Sequence, residues 1–185
     1  MTLREIIQNM FHEGQKDEEL VMMLTEAKFG GKTQRATREE DIFRHVDFWW
    51  FDKTNKPFGV DVKGVKRSRR NDATKDDSIH WVELQNVRGN KGWVYGDAVY
   101  IAFMTNHEVL FVPRKRLATF TEDKIQGKDT TRTCPQECYI PYQRAGRNDI
   151  VVKVPTADLR SLAQHIIAID ELTDKHIESW QTTIK

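Results

Sequence analysis

Asp61 and Lys63 stand in an otherwise apolar run, Gly59-Val60-Asp61-Val62-Lys63-Gly64, and an extended chain alternates its side chains with a period of two. Carboxylate and ammonium therefore share one face, and Val60 and Val62 take the other. A charged pair on such a strand costs free energy unless a partner, a metal or a substrate compensates for it. Asp47 lies in the preceding run, Val46-Asp47-Phe48-Trp49-Trp50-Phe51. The turn chemistry of Lys53-Thr54-Asn55-Lys56-Pro57 makes the two runs a hairpin, which brings Asp47 beside Asp61. Two converging carboxylates form a hard-oxygen site for a magnesium ion, with manganese as its substitute, because such an ion keeps several waters and takes one or two protein oxygens plus phosphate. The ion polarises a phosphodiester and lowers the pKa of bound water, while the lysine orients that water and stabilises charge developing on phosphorus. The chemistry expected of the trio is phosphodiester hydrolysis without a covalent nucleophile.

Other chemistry is less well supplied. Cys134 and Cys138 have a spacing that zinc can use, but no second cysteine pair exists. His45 and His80 flank the trio as reserve candidates. There is no Gly-rich phosphate loop, Gly-x-Ser-x-Gly elbow or His-Glu-x-x-His. The bland reading of Asp61 and Lys63 is a water-facing ion pair on an edge strand. Lys66, Arg67, Arg69, Arg70 and Lys75 follow the strand at once and could neutralise phosphates, although Asp72, Asp76 and Asp77 partly offset them. Arg114, Lys115 and Arg116, with Arg144 and Arg147, could extend that surface. The tryptophans read as packing groups.

The elements that must position these groups follow from periodicity. Residues 3–11 and 19–29 repeat apolar side chains at helical spacing, and Gly30-Gly31 ends the second helix. A polar stretch, 32–38, follows, and Thr37 with Glu40 forms a capping box for a brief further turn. Strands are expected at 45–51, 58–65, 79–87, 98–104, 108–113 and 150–154, and a closing helix over 156–172. The fold class is α/β (α+β): a central mixed sheet of about five strands flanked by helices. One domain of 185 residues is expected. Its parts are helical 1–44, the sheet with the motif at 45–113, an irregular excursion at 114–149, and a strand with the final helix at 150–185.

Lys and Arg number 29 against 28 Asp and Glu, a formal charge of +1, so any nucleic-acid surface must be local. No run approaches the roughly 18 apolar residues of a membrane span, and the start lacks the order of a signal peptide. With two cysteines only, a cytoplasmic location is expected and no membrane partner.

Val46-Asp47-Phe48 followed by Gly59-Val60-Asp61-Val62-Lys63-Gly64 resembles the split motif of the PD-(D/E)XK, or restriction-endonuclease-like, nuclease superfamily, in which an acidic residue precedes an acid-any-lysine strand. No proline precedes Asp47. The resemblance covers roughly residues 45–104, and Gly92-Trp93-Val94-Tyr95-Gly96-Asp97-Ala98 is similar to strand-entry turns of phage-type members. It implies a magnesium-dependent deoxyribonuclease with Asp47, Asp61 and Lys63 as its centre. On a third strand Glu83 or Gln85 would add a polar group, and on the preceding helix Asp41, ahead of Glu40, would complete the metal shell. DNA would be the partner, cleavage of both strands would call for a homodimer, and a phage-encoded enzyme would work in host cytoplasm. The alternative is a non-catalytic binding or interaction module that keeps the nuclease fold.

Overall fold

The computed structural model describes residues 16–65 and 76–171. The expected helix at 3–11 and the basic run Lys66, Arg67, Arg69, Arg70 and Lys75 lie outside the described residues. The chain is mixed α/β: helix α1 (Lys16–Phe29), strand β1 (Lys32–Arg35), helix α2 (Arg38–Arg44), strands β2 (Phe48–Phe51), β3 (Pro57–Lys63) and β4 (Ile79–Gln85), a 3-10 turn (Trp93–Tyr95), strands β5 (Tyr100–Met104) and β6 (Glu108–Pro113), helix α3 (Arg114–Ile125), strands β7 (Tyr142–Gln143) and β8 (Ile150–Pro155), helix α4 (Thr156–Leu162) and strand β9 (His165–Ala168).

Instead of one sheet of about five strands there are two. A six-stranded sheet runs β1-β2-β3-β5-β6-β9, and a three-stranded sheet runs β4-β8-β7. Every pairing is antiparallel except β3 with β5. Val60, Phe48, Tyr100, Ala102 and Phe111 pack on one face of the large sheet, against Leu20, Val21 and Leu24 of α1. Ile101, Phe103, Leu110 and Val112 pack on the other, against Val82, Val152 and Val154 of the small sheet and Leu117 and Leu159 of α3 and α4. The period-two alternation thus feeds two cores, and whatever occupies the Asp61 face of β3 is enclosed between the sheets.

Local chemistry explains the departures from the sequence reading. The polar stretch after Gly30-Gly31 is strand β1, an exposed edge strand whose ladder to β2 pairs Lys32 with Phe51 through Arg35 with Phe48. Gly31 permits that turn, since its φ is +84° and a Cβ there would lie 2.1 Å from the Phe51 carbonyl oxygen. The supposed excursion from 114 begins as α3, whose buried residues are Leu117, Ala118 and Thr121, a narrow stripe in a charged run. Arg114 does not extend a basic surface, because its guanidinium donates to the carbonyls of Ala98 (3.0 Å) and Val94 (3.1 Å). The closing helix stops at Leu162, and β9 instead pairs with β6. There Ile167 is buried and Ile166 exposed, an alternation that short apolar runs leave ambiguous until a ladder partner is known. The capping box at Thr37 and Glu40 is present.

Among the described residues no helix is long and apolar enough to cross a membrane. Leu24 is wholly buried between α1 and the large sheet. Leu24→Ala should lower unfolding free energy by about 2–5 kcal/mol in a urea titration; a loss below about 1 kcal/mol, the size expected of a surface position, would contradict this packing.

Candidate active site

Asp47 sits one residue before β2. Its backbone N–H donates to the Val60 carbonyl (2.9 Å) and its carbonyl accepts from Ala36 (3.0 Å). Its Oδ2 accepts from the backbone N–H of Val62 at 2.6 Å, so a side chain takes the place of a strand carbonyl and pins the carboxylate across β3. Asp61 is 1 % exposed. Its Oδ1 takes the Lys63 ammonium, while Oδ2 is buried without a hydrogen-bond donor. Burial is the main cause that pushes the Asp61 carboxyl up to about 8; the Asp47 carboxylate, close enough to exchange a hydrogen bond with it, adds to the rise, and Lys63 opposes it. A neutral Asp61 carboxyl supplies the proton that a hydrogen bond between two acceptor carboxylates needs.

Lys63 is held as firmly. Its ammonium lies 4.8 Å from the Trp93 ring centroid, and the first turn of α1 closes over the strand end, where a Cβ on Gly64 would come within 2.0 Å of Asp17 Oδ2. A cavity of about 10 Å³, lined by Lys63, Gly64, Ile79, His80 and Trp81, has room for about one water beside it. His45 ends α2 in the left-handed region, φ 53°. Burial and the nearby Lys63 hold its imidazole below the usual value, against Asp41, Asp47 and Asp97, which keeps it neutral at pH 7. His80 is buried edge-on to Phe103, ring centroids 5.0 Å apart.

The wider metal shell does not assemble. Among the described residues no group of three or more His, Cys, Asp or Glu side chains converges. Glu83 belongs to the small sheet, not to a third strand beside β3. Its carboxyl is raised by burial, against an opposing hydrogen bond from the Trp93 backbone and the charge of Lys63. Gln85 donates to the Asn148 carbonyl at 2.6 Å. Glu40 accepts from the Thr37 backbone (2.8 Å) and the Trp49 indole (3.0 Å), which makes it a structural cap. Asp41 is exposed on α2 and reaches the site only through its field at His45 and Glu18.

The sequence reading missed Glu18. It lies in the first turn of α1, bonded to Arg35, and its carboxyl is raised chiefly by burial, with Asp47 and then Asp41 adding repulsion. Only a surface periodicity marked this position, and its approach to Asp47 depends on how α1 crosses the sheet. A hollow of about 630 Å³ opens at the other end of the β2–β3 hairpin beside Lys32, Phe51, Asp52 and Lys53. Its Asp52 is spent on the N–H groups of Thr54 and Lys56.

No family model, curated protein or solved structure matches the chain.

The two aspartates fit a divalent cation on three counts: hard oxygens, opposed negative charge, and a buried oxygen with no donor. Without a cation, the folded chain retains a proton on Asp61 that the unfolded chain releases near pH 4. Asp61's contribution to stability is therefore full below about pH 4 and is lost as pH rises through about 8. Thermal melts in EDTA from pH 5 to 8.5 should show Asp61→Asn gaining steadily on the wild type as pH rises; parallel curves would mean that Asp61 titrates normally.

Proposed function

We propose that the protein is a metal-dependent nuclease that hydrolyses phosphodiester bonds in DNA, using Asp47, Asp61 and Lys63. The observation that carries this reading is the buried, donorless oxygen of Asp61 facing a second carboxylate that the strand ladder holds in place. Asp47 and Asp61 would hold magnesium, or manganese in its stead, which when bound supplies Lewis acidity toward a phosphoryl oxygen and makes water a better nucleophile. Binding requires both carboxylates ionised, so the proton that Asp61 retains must leave. Released from part of its attraction to Asp61, Lys63 can donate to the attacking water or a nonbridging oxygen while the Trp93 ring limits its wandering. Neutral His45 adds no competing cation.

The non-catalytic module has its own support. Only two carboxylates converge among the described residues, and the Asp61–Lys63 pair is already closed on itself. Such a module would bind DNA regardless of metal.

A cleavage assay on supercoiled plasmid and on single strands, with magnesium, manganese or EDTA, separates the two. The nuclease should cut with either ion and not in EDTA. Lys63→Ala should lose about 10²- to 10³-fold in rate, the range for removal of one preorganised electrostatic group, and Asp61→Asn at least as much. Undiminished cutting by Asp61→Asn, or binding without any cutting, would reject the enzyme.

A further inference from the structure

The β7–β8 hairpin carries a second charged arrangement that the hydrolytic trio does not use. Asp149 is fully buried, and its Oδ2 accepts from Nε of Arg144 and is ion-paired with its Nη2, while the arginine side chain remains 42 % exposed. Asp149 Oδ1 has no donor. The hairpin is tied down around this pair: Gln85 donates to the Asn148 carbonyl, Gln143 donates to the Arg147 carbonyl, and Gln143 is in register with Ile150. A guanidinium carries five N–H donors in a rigid fork, so donors remain after Nε and Nη2 have each met Asp149.

The position of this arginine relates it to the trio. On β4, Glu83 is in register with Val151, two residues beyond Asp149. The charges of Lys63, Asp149 and Arg144 all act on the Glu83 carboxyl. A buried carboxylate gripping a half-exposed arginine costs desolvation that a surface ion pair avoids, and what it gains here is a guanidinium of fixed direction.

We propose that Arg144, oriented by Asp149, is a phosphate-binding residue that anchors the DNA backbone. Asp149 is a positioning residue. This rests on the nuclease reading above and extends it to the substrate contact on the small sheet. The arginine meets a backbone phosphate through its outer donors and carries no base specificity.

The test is binding of a 20-base-pair fluorescent duplex in calcium, with affinity followed against salt, beside cleavage in magnesium. Arg144→Ala alone would strand Asp149, so the Arg144→Gln/Asp149→Asn double variant serves as well, with melts to confirm folding. Loss of one phosphate contact should reduce the slope of log affinity against log salt by about 0.9 and weaken duplex binding several-fold. Asp149→Asn, which keeps the charge but frees its direction, should retain the slope while the cleavage KM rises. A folded double variant with wild-type slope and affinity, beside a wild type that binds and cuts, overturns this inference and leaves the nuclease reading standing. A wild type that neither binds nor cuts overturns both.

Discussion

Two carboxylates, Asp61 fully buried and Asp47 partly so, are brought together across β3, and much of the molecule exists to keep them there. Asp61 is enclosed because β3 is an inner strand, with α1 on one face and the small sheet on the other. Asp47 cannot retreat, because its side chain completes the strand ladder at Val62. Like charges so placed, one of them fully buried, cannot both ionise cheaply. Lys63 neutralises one and leaves the pair with a charge or a proton too many. A protein that only needed stability would do better with apolar residues at these positions.

The supporting structure divides its labour between the sheets. The large sheet supplies both aspartates and the lysine from adjoining strands, so their spacing is set by the ladder itself. The 3-10 turn sets Trp93 against the ammonium, and strand β4 of the small sheet carries Glu83, whose carboxyl is subject to the charge of Lys63. Helix α1 closes the remaining side, and its acidic first turn brings Asp17 onto Gly64 and Glu18 toward Asp47. Anionic side chains are favourable at a helix N-terminus, which offsets part of the crowding of negative charge here.

The sequence disclosed what is local. The hairpin, the side shared by Asp61 and Lys63, the approach of Asp47 and the capping box at Thr37 all follow from period, turn chemistry and spacing. The mixed α/β class followed from the same patterns. What stayed hidden depends on partners distant in the chain. Strand β4 has a strand's pattern, but nothing in residues 79–85 says that it pairs with 150–155 rather than with β3, and the place expected for Glu83 failed for that reason. Strand β9 needed β6 to distinguish it from helix, and Glu18 needed the crossing of α1. Asp149 sits in a polar loop whose sequence gives no sign that the residue is buried.

Metal-linked proton release measures the central pair most directly. Magnesium or manganese titrated into the protein at pH 7, in two buffers of different ionisation enthalpy, should bind with release of about one proton per ion, because Asp61, held at about 8 without metal, must ionise to accept the cation. Asp61→Asn should abolish that release together with tight binding. Binding without proton release, or binding equally strong in Asp61→Asn, would contradict the account.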